Sequence, residues 1–299
     1  MGIRDRIVKR EALADWRRAT RGRLFDCGAT AEYVILYFTL VFAVSWALWF
    51  AANAATGSAV RTILIYTGVF TPGIIALALT RLRHGPSGVR RLVARLVKFD
   101  VGVRWFAFAL FFIAAVKVLV AVIVRVVTGA WPVFGTEPVP LMFVAAIGST
   151  LMGGQVGEEL GWRGYTLPRL ARPMGLGAAS IVLGVIWAAW HLPLFHILGG
   201  DTVGQSFPFY LLQVVALSIA IAWVYMKTNG SLFVTMLLHA AVNNTKDIVP
   251  SAVPGASNPW SLHASLVGWV TLAILWICAV VFFYDMHRDT SVSRLAEAD

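Results

Sequence analysis

Two adjacent carboxylates and an arginine follow an apolar run near the middle of the chain, in the stretch Gly157-Glu158-Glu159-Leu160-Gly161-Trp162-Arg163-Gly164. Hydrocarbon does not solvate such charges, so at membrane depth they need partners or a wet cavity and indicate function. Adjacent helical residues point about 100° apart, so the two acids have different surroundings. Glu159 and Arg163 stand at i and i+4 with the acid first, the favourable order for an ion pair. Glu158 has no basic partner on its own helix, and we expect it to serve as a general base.

Two histidines and a carboxamide on later apolar runs are candidate partners for Glu158. His191 lies in one run, and His239 and Asn243 lie in another at i and i+4, on one helix face. We expect three helices to hold these groups at compatible depths, with Pro193 loosening the helix beyond His191 and opening a wet pocket. Such a set favours chemistry in which a base generates a nucleophile and fixed donors meet a developing negative charge.

Taken singly, these residues have ordinary structural explanations. A histidine in an apolar helix is more often a hydrogen-bonded bundle residue than a catalyst, and Glu159 with Arg163 is more often a structural pair. The joint occurrence, with Asn243 one turn after His239, favours a functional site. The chain lacks the His-Glu-x-x-His pattern of zinc hydrolases and the Gly-x-Ser-x-Gly pattern of serine hydrolases. The remaining histidines have no comparable neighbours: His84, His196, His263 and His287.

The elements that must position these residues are membrane helices. Of 299 residues, 59% are hydrophobic and 13% are charged, against roughly 25% charged in soluble domains, and the mean hydropathy is +0.75. We therefore predict an all-α fold, a polytopic membrane bundle of about eight transmembrane helices. Eight apolar runs approach the ~20 residues that a helix needs to cross the hydrocarbon, namely 33–53, 60–80, 105–127, 141–167, 176–198, 207–226, 230–249 and 264–284.

Basic residues indicate how the spans are oriented. Residues 1–31 contain eight Lys or Arg and residues 81–104 seven more of the chain's 25, whereas 54–59, 128–140 and 199–206 contain none. By the positive-inside rule the N-terminus and the 81–104 loop are cytoplasmic, and eight spans bring the C-terminus back to that side. The net charge of +10 then reflects the topology of a multi-pass protein of the cytoplasmic membrane, and we expect no nucleic-acid partner.

The chain divides into three predicted parts. Residues 1–31 form a basic amphipathic segment on the cytoplasmic surface, with a cleaved signal peptide as the alternative. Residues 32–284 form the eight-span membrane domain, and residues 285–299 a cytoplasmic tail. Lys117 lies in the middle of the third run, and we expect it to snorkel or to pair within the bundle.

The fourth run is predicted to be one helix that ends at Pro168. Glu158 then lies about nine residues, roughly 14 Å, from the cytoplasmic end of that helix. Gly153, Gly157 and Gly161 recur every fourth residue, which predicts close approach of a neighbouring helix.

Together these residues resemble the CPBP family of intramembrane proteases, the CAAX-protease and bacteriocin-processing (Abi) group that includes the type II CAAX prenyl endopeptidases. The resemblance covers residues 141–249. Three motifs on separate spans carry it: Glu-Glu-x-x-x-Arg at Glu158, Glu159 and Arg163, Phe-x-x-x-His at Trp187 and His191 with Trp in place of Phe, and His-x-x-x-Asn/Asp at His239 and Asn243.

The resemblance implies an intramembrane endopeptidase in which Glu158 and His191 activate a water and His239 and Asn243 stabilise the oxyanion. Glu159, Arg163 and Trp187 are the supporting residues. The family is often labelled metalloprotease, but we predict a metal-free, glutamate-dependent mechanism. Zinc held by Glu158, His191 and His239 is the alternative. The expected partners are the lipid bilayer and a membrane-embedded or lipidated peptide or protein, reached from the cytoplasm.

A second hypothesis is a non-catalytic membrane protein. It would be a scaffold for bacteriocin self-immunity or phage defence, or a proton-coupled transporter that uses Glu158 and the histidines as a relay.

Overall fold

The computed structural model describes residues 31–197, 202, 205–251 and 258–288. These residues are largely helical and include no β-strand, which confirms the predicted all-α membrane bundle. The predicted basic segment 1–31 lies outside the described residues except for Ala31. Most of the predicted tail 285–299 also lies outside them, but its first residues belong to the last helix.

Within the described ranges we number nine α-helices in chain order. Six apolar stretches there are long enough to cross a membrane: α1, α2, α3, the run from α5 through α6, α7 and α9. A π-helical segment, Leu160–Thr166, joins α5 to α6. The helices are Ala31–Ala54 (α1), Ser58–Ala94 (α2), Val103–Thr128 (α3), Val139–Met152 (α4), Gln155–Glu159 (α5), Leu167–Trp190 (α6), Phe207–Lys227 (α7), Leu232–Thr245 (α8) and Leu266–Arg288 (α9).

The predicted fourth span is broken in the middle. Helix α4 ends at Met152, Gly153 adopts an extended conformation (φ −88°, ψ 175°), and α5 begins at Gln155. Glycine is the weakest helix former after proline, and two glycines in succession make this the weakest point of the apolar run. Glu158 therefore lies in the first turn of a new helix, where a continuous helix had been predicted.

Helical structure also continues past Pro168, contrary to the prediction. Pro168 is the second residue of α6, where its missing N–H costs little. The interruption comes at Gly175, whose φ of 78° is left-handed. The chain reverses there, because the rings of Trp162 and Trp190 lie 5.5 Å apart, whereas an unbroken helix would separate them by roughly 40 Å. The predicted turn between the fourth and fifth runs exists, but at Gly175.

Most of the predicted basic loop 81–104 is helical. Helix α2 runs to Ala94, with an interruption at Gly85 (φ 65°), and a 3-10 turn follows at Arg95–Val97. Arginine is a good helix former, so the charge density that ends a membrane span does not end the helix.

Glycines bring α5 and the π-helical segment directly against α2. A Cβ at Gly157 would lie 2.7 Å from the Cα of Phe70, and one at Gly161 would lie 2.6 Å from the carbonyl carbon of Pro72. The predicted close approach is thus present at Gly157 and Gly161, whereas Gly153 forms the helix break. This packing fixes the backbone on which Glu158 and Glu159 stand.

Candidate active site

Glu159 is the centre of a buried ion-pair network. Its Oε1 accepts hydrogen bonds from Nη1 of Arg163 at 2.9 Å and from Nδ1 of His239 at 2.9 Å. Glu159 and Arg163 are both inaccessible to solvent, and the guanidinium lies 4.5 Å from the centre of the Trp187 ring. The predicted i, i+4 ion pair is present. The contact with His239 joins residues eighty positions apart, so spacing alone did not reveal it.

Glu158 points to a different neighbour. Its Oε2 accepts a hydrogen bond of 2.7 Å from Nε1 of Trp187. In the part of the chain that the structure describes, no protein group bonds to its Oε1, and the carboxylate lines a cavity. Glu158 is 6% exposed, so a buried carboxylate keeps one oxygen for a ligand. The predicted difference in surroundings between Glu158 and Glu159 is present.

His191 stands just after a helix end, not within a helix as predicted. Helix α6 ends at Trp190, and Pro193 belongs to the 3-10 turn Leu192–Phe195, because proline restricts the residue before it and cannot donate to the helix. Nδ1 of His191 lies 2.8 Å from the carbonyl oxygen of Trp187. A carbonyl only accepts, so Nδ1 carries the proton and Nε2 of the neutral ring has a lone pair.

His239 and Asn243 lie on one face of α8, as their spacing predicted. Nδ1 of His239 donates to the Glu159 carboxylate, which leaves Nε2 for other contacts. The Asn243 side chain is exposed, and its amide has no protein partner within the described ranges. The next residue, Asn244, instead donates to Oγ of Ser149 at 3.0 Å and has a structural role.

One cavity of about 550 Å³ brings the candidates together. Glu158, His191, His239 and Asn243 all line it, and Trp187 does so between the two histidines. Sequence reasoning did not place further polar residues on this wall, among them His263, which had been set aside as lacking neighbours. No spacing signal pointed to them, because they come from separate segments and include Gln155, Lys117, Tyr210 and His263.

Comparison with known proteins matches this region to a protease family. Residues 136–245, which contain all four candidates, match the family of Rce1-like type II CAAX prenyl endopeptidases. Residues 136–245 are an Rce1-like domain. A relative called CAAX prenyl protease 2, from Methanococcus maripaludis, is 24% identical over 234 residues, which are 72% of this chain and 84% of that protein.

This match confirms the resemblance to the CPBP family. The match and the relative make the chain an intramembrane endopeptidase, and they do not favour the non-catalytic alternative. Together with the long apolar helices, they also make it a multi-pass membrane protein.

The alternative zinc ligands of the Rce1-like domain do not form a metal site. Across the described ranges, no three His, Cys, Asp or Glu side chains group closely enough to hold a metal ion. His191 and His239 each engage Nδ1 with a protein acceptor and keep Nε2 free, as metal-bound histidines also do, so only the spacing of the three side chains speaks against zinc. The metal-free mechanism stays a prediction.

The cavity lies towards the ends of α2, α7 and α9 that are remote from their basic last turns. It continues to Lys246 and Asp247, which are about half exposed. Under the predicted orientation this end faces the exterior. The predicted orientation and the expected access from the cytoplasm are therefore incompatible. Residues that line the cavity near these ends are Ile65, Tyr66 and Val69 from α2, Phe209, Tyr210 and Gln213 from α7, and Thr271 and Leu275 from α9.

Proposed function

We propose that this intramembrane endopeptidase hydrolyses its peptide bond with a water activated by Glu158. The observation that carries the proposal is the second oxygen of Glu158, which lies without a protein partner among the described residues on a cavity wall shared with His191, His239 and Asn243. A buried carboxylate held at one oxygen is a suitable general base, because its remaining lone pairs are directed at a fixed place.

Glu158 takes a proton from water as the water oxygen attacks the carbonyl carbon. The lone pair on Nε2 of His191 accepts the second hydrogen of that water and orients it. When the C–N bond breaks, Glu158 returns its proton to the departing amine, so the base ends the cycle ionised. The hydrogen bond from Trp187 holds the carboxylate through both transfers.

His239 and Asn243 stabilise the oxyanion. Because Nδ1 of His239 donates to Glu159, Nε2 carries a hydrogen only in the doubly protonated ring. In that form the ring pairs with Glu159, as Arg163 does, and Nε2 donates to the oxyanion. The Asn243 amide supplies the second donor.

We further propose a substrate at the outer surface of the cytoplasmic membrane. The basic segments support cytoplasmic termini, and the cavity lies in the opposite half of the bundle. A membrane-embedded or lipidated peptide suits a site among apolar helices. The relative's name refers to prenylated proteins, and a prenylated substrate for this chain is part of the same proposal.

The test is cleavage of a peptide library by the purified protein in lipid nanodiscs. Glu158→Gln keeps the shape of the side chain and removes the base, so cleavage should disappear while the melting temperature stays within about 2 °C of wild type, the shift expected of a neutral substitution. Glu137→Gln makes the same change at an exposed acid and should retain full activity. Retained cleavage by folded Glu158→Gln would contradict the mechanism, and solute uptake without proteolysis would favour the transporter alternative.

A further inference from the structure

A second, small cavity lies at the basic end of α2 and shares no lining residue with the catalytic cavity. It encloses about 20 Å³, room for one water molecule or for one oxygen of a larger group. Its walls come from α2, the π-helical segment and α6. Among the described residues, its polar side chains are hydroxyl or cationic groups and include no acid: Thr80, His84, Arg91, Arg95 and Arg169.

Two glycines allow the walls of this cavity to approach each other closely. A Cβ at Gly88 would lie 2.5 Å from Cβ of His84 and 3.2 Å from Cγ2 of Thr80. A Cβ at Gly164, on the π-helical segment, would lie 2.9 Å from a methyl group of Leu92. The backbone of both segments therefore fixes the shape of the cavity, and a larger residue at either glycine would displace its walls.

The hydroxyl of Thr80 is buried in this cavity without a hydrogen-bond partner. Thr80 is 5% exposed, and its Oγ1 bonds to no group of the described chain. On the same helix, Thr71 donates to the carbonyl oxygen of Thr67 at 3.1 Å, the usual bond of a helical threonine. Thr80 does not make that bond. A buried polar group without a partner is destabilising, so a ligand that accepts from this hydroxyl would stabilise the fold.

Three arginines give the cavity its positive charge. Arg91 is exposed at its edge and forms no hydrogen bond or ion pair with the described residues. Nη1 of Arg95 donates to Oη of Tyr225 at 2.9 Å, and Nη1 of Arg169 donates to the carbonyl oxygen of Tyr165 at 2.6 Å. These bonds fix the directions of two guanidinium groups. Arginine in such a fixed position is the side chain best suited to bind phosphate.

The place of the cavity along the helix indicates the kind of anion. Thr80 is the last residue of the apolar run 60–80, and Arg81 and Arg83 follow it directly. The end of an apolar run lies at the level of the lipid headgroups. Basic pockets between membrane helices at this level bind lipid phosphates. A phosphate group exceeds the enclosed volume, so one oxygen would enter towards Thr80 and the others would stay at the edge beside Arg91.

We propose that this cavity binds a negatively charged phosphate group. One phosphate oxygen accepts from the hydroxyl of Thr80, and the outer oxygens pair with Arg91 and Arg95. The phosphate belongs either to an anionic phospholipid or to a soluble phosphate compound, which share this chemistry. Gly164 on the cavity wall directly follows Arg163, the partner of Glu159. A bound phosphate would therefore stabilise the segment that carries the buried ion pair. The site does not depend on the proposed catalytic mechanism.

The experiment is native mass spectrometry of the full-length protein in detergent, with phosphatidylglycerol or phosphatidylcholine titrated in. For wild type we expect the first phosphatidylglycerol to bind roughly tenfold more tightly than phosphatidylcholine, because a charge-assisted bond to arginine distinguishes the two headgroups. Inorganic phosphate is added in a second arm. Displacement of that lipid by millimolar phosphate identifies a site for soluble phosphate, and retention of the lipid identifies a lipid site.

Arg91→Gln should weaken the first phosphatidylglycerol about tenfold, because it removes one charged donor. Thr80→Val replaces the hydroxyl by a methyl group of similar size and should weaken it about threefold. Without added lipid, Thr80→Val should melt no lower than wild type, since the hydroxyl has no partner to lose. Arg90→Gln is the matched control, because Arg90 is the exposed neighbour of Arg91 and does not line the cavity.

Two outcomes would overturn the phosphate site. One is equal binding of the two lipids together with no binding of inorganic phosphate, which would leave a cavity that holds water only. The other is an equal loss of affinity in Arg90→Gln and Arg91→Gln with none in Thr80→Val, which would show general attraction to a basic surface. Neither outcome affects the proposed endopeptidase function, which is tested at Glu158.

Discussion

Nε1 of Trp187 donates a 2.7 Å hydrogen bond to Oε2 of Glu158. The two residues stand on the two arms of a helical hairpin that reverses at Gly175. In the Phe-x-x-x-His motif of the CPBP family, the residue at the position of Trp187 is phenylalanine, whose ring has no hydrogen-bond donor. In this chain an indole therefore holds one oxygen of the proposed base, and the same ring packs against Arg163 and His239.

Trp187→Phe should isolate the effect of that hydrogen bond. An aromatic ring remains for the packing, but one oxygen of Glu158 loses its donor and the carboxylate is less well oriented. We expect kcat to fall about tenfold with KM nearly unchanged, because one hydrogen bond to a charged group is lost. Steady-state kinetics with a library-derived peptide measure both constants.

A matched control exists at the other end of the bundle. Nε1 of Trp223 donates to Oδ2 of Asp285, also at 2.7 Å, away from the cavity. Trp223→Phe should leave kcat unchanged. Equal kcat values for both variants and wild type would show that the indole does not assist Glu158.

Glu159→Gln should behave differently from Glu158→Gln. The Glu159 carboxylate accepts hydrogen bonds from both Arg163 and His239. Its replacement therefore leaves the buried guanidinium of Arg163 without a counter-charge. Breaking a buried ion pair typically costs about 3–5 kcal/mol. We expect a clear loss of thermal stability and of activity, whereas Glu158→Gln loses activity alone. Thermal unfolding in nanodiscs measures the difference, and the reverse pattern would exchange the roles of the two acids.

Metal chelators should leave the proposed activity intact. Glu158, His191 and His239 do not group as metal ligands in the described structure. We expect peptide cleavage to survive prolonged treatment with EDTA and with phenanthroline, and elemental analysis of active protein to find no stoichiometric zinc. Inhibition that added zinc reverses would contradict the metal-free mechanism.

The side of the membrane on which the cavity opens is measurable by cysteine labelling. In a background with Cys27 and Cys278 replaced by serine, an impermeant maleimide should label Lys246→Cys in intact cells. Arg90→Cys, at the exposed basic end of α2, should react only after permeabilisation. The opposite result would reverse the orientation and make the site accessible from the cytoplasm.

The sequence by itself determined the class of fold and most of the candidate site. Hydrophobic runs of span length require helices, since only a helix satisfies all its backbone groups within one segment of lipid-exposed chain. The Glu159–Arg163 pair was equally predictable, because residues four apart in a helix are neighbours whatever the rest of the fold does.

Only the tertiary structure decided where the helices break and which side chains meet. With 26 glycines in the chain, spacing did not show that Gly153 interrupts a span and Gly175 reverses it. The bonds from Trp187 to Glu158 and from His239 to Glu159 depend on those breaks. Helical periodicity is set by hydrogen bonds between residues close in sequence, whereas contacts between helices depend on where the chain turns and how the whole bundle packs.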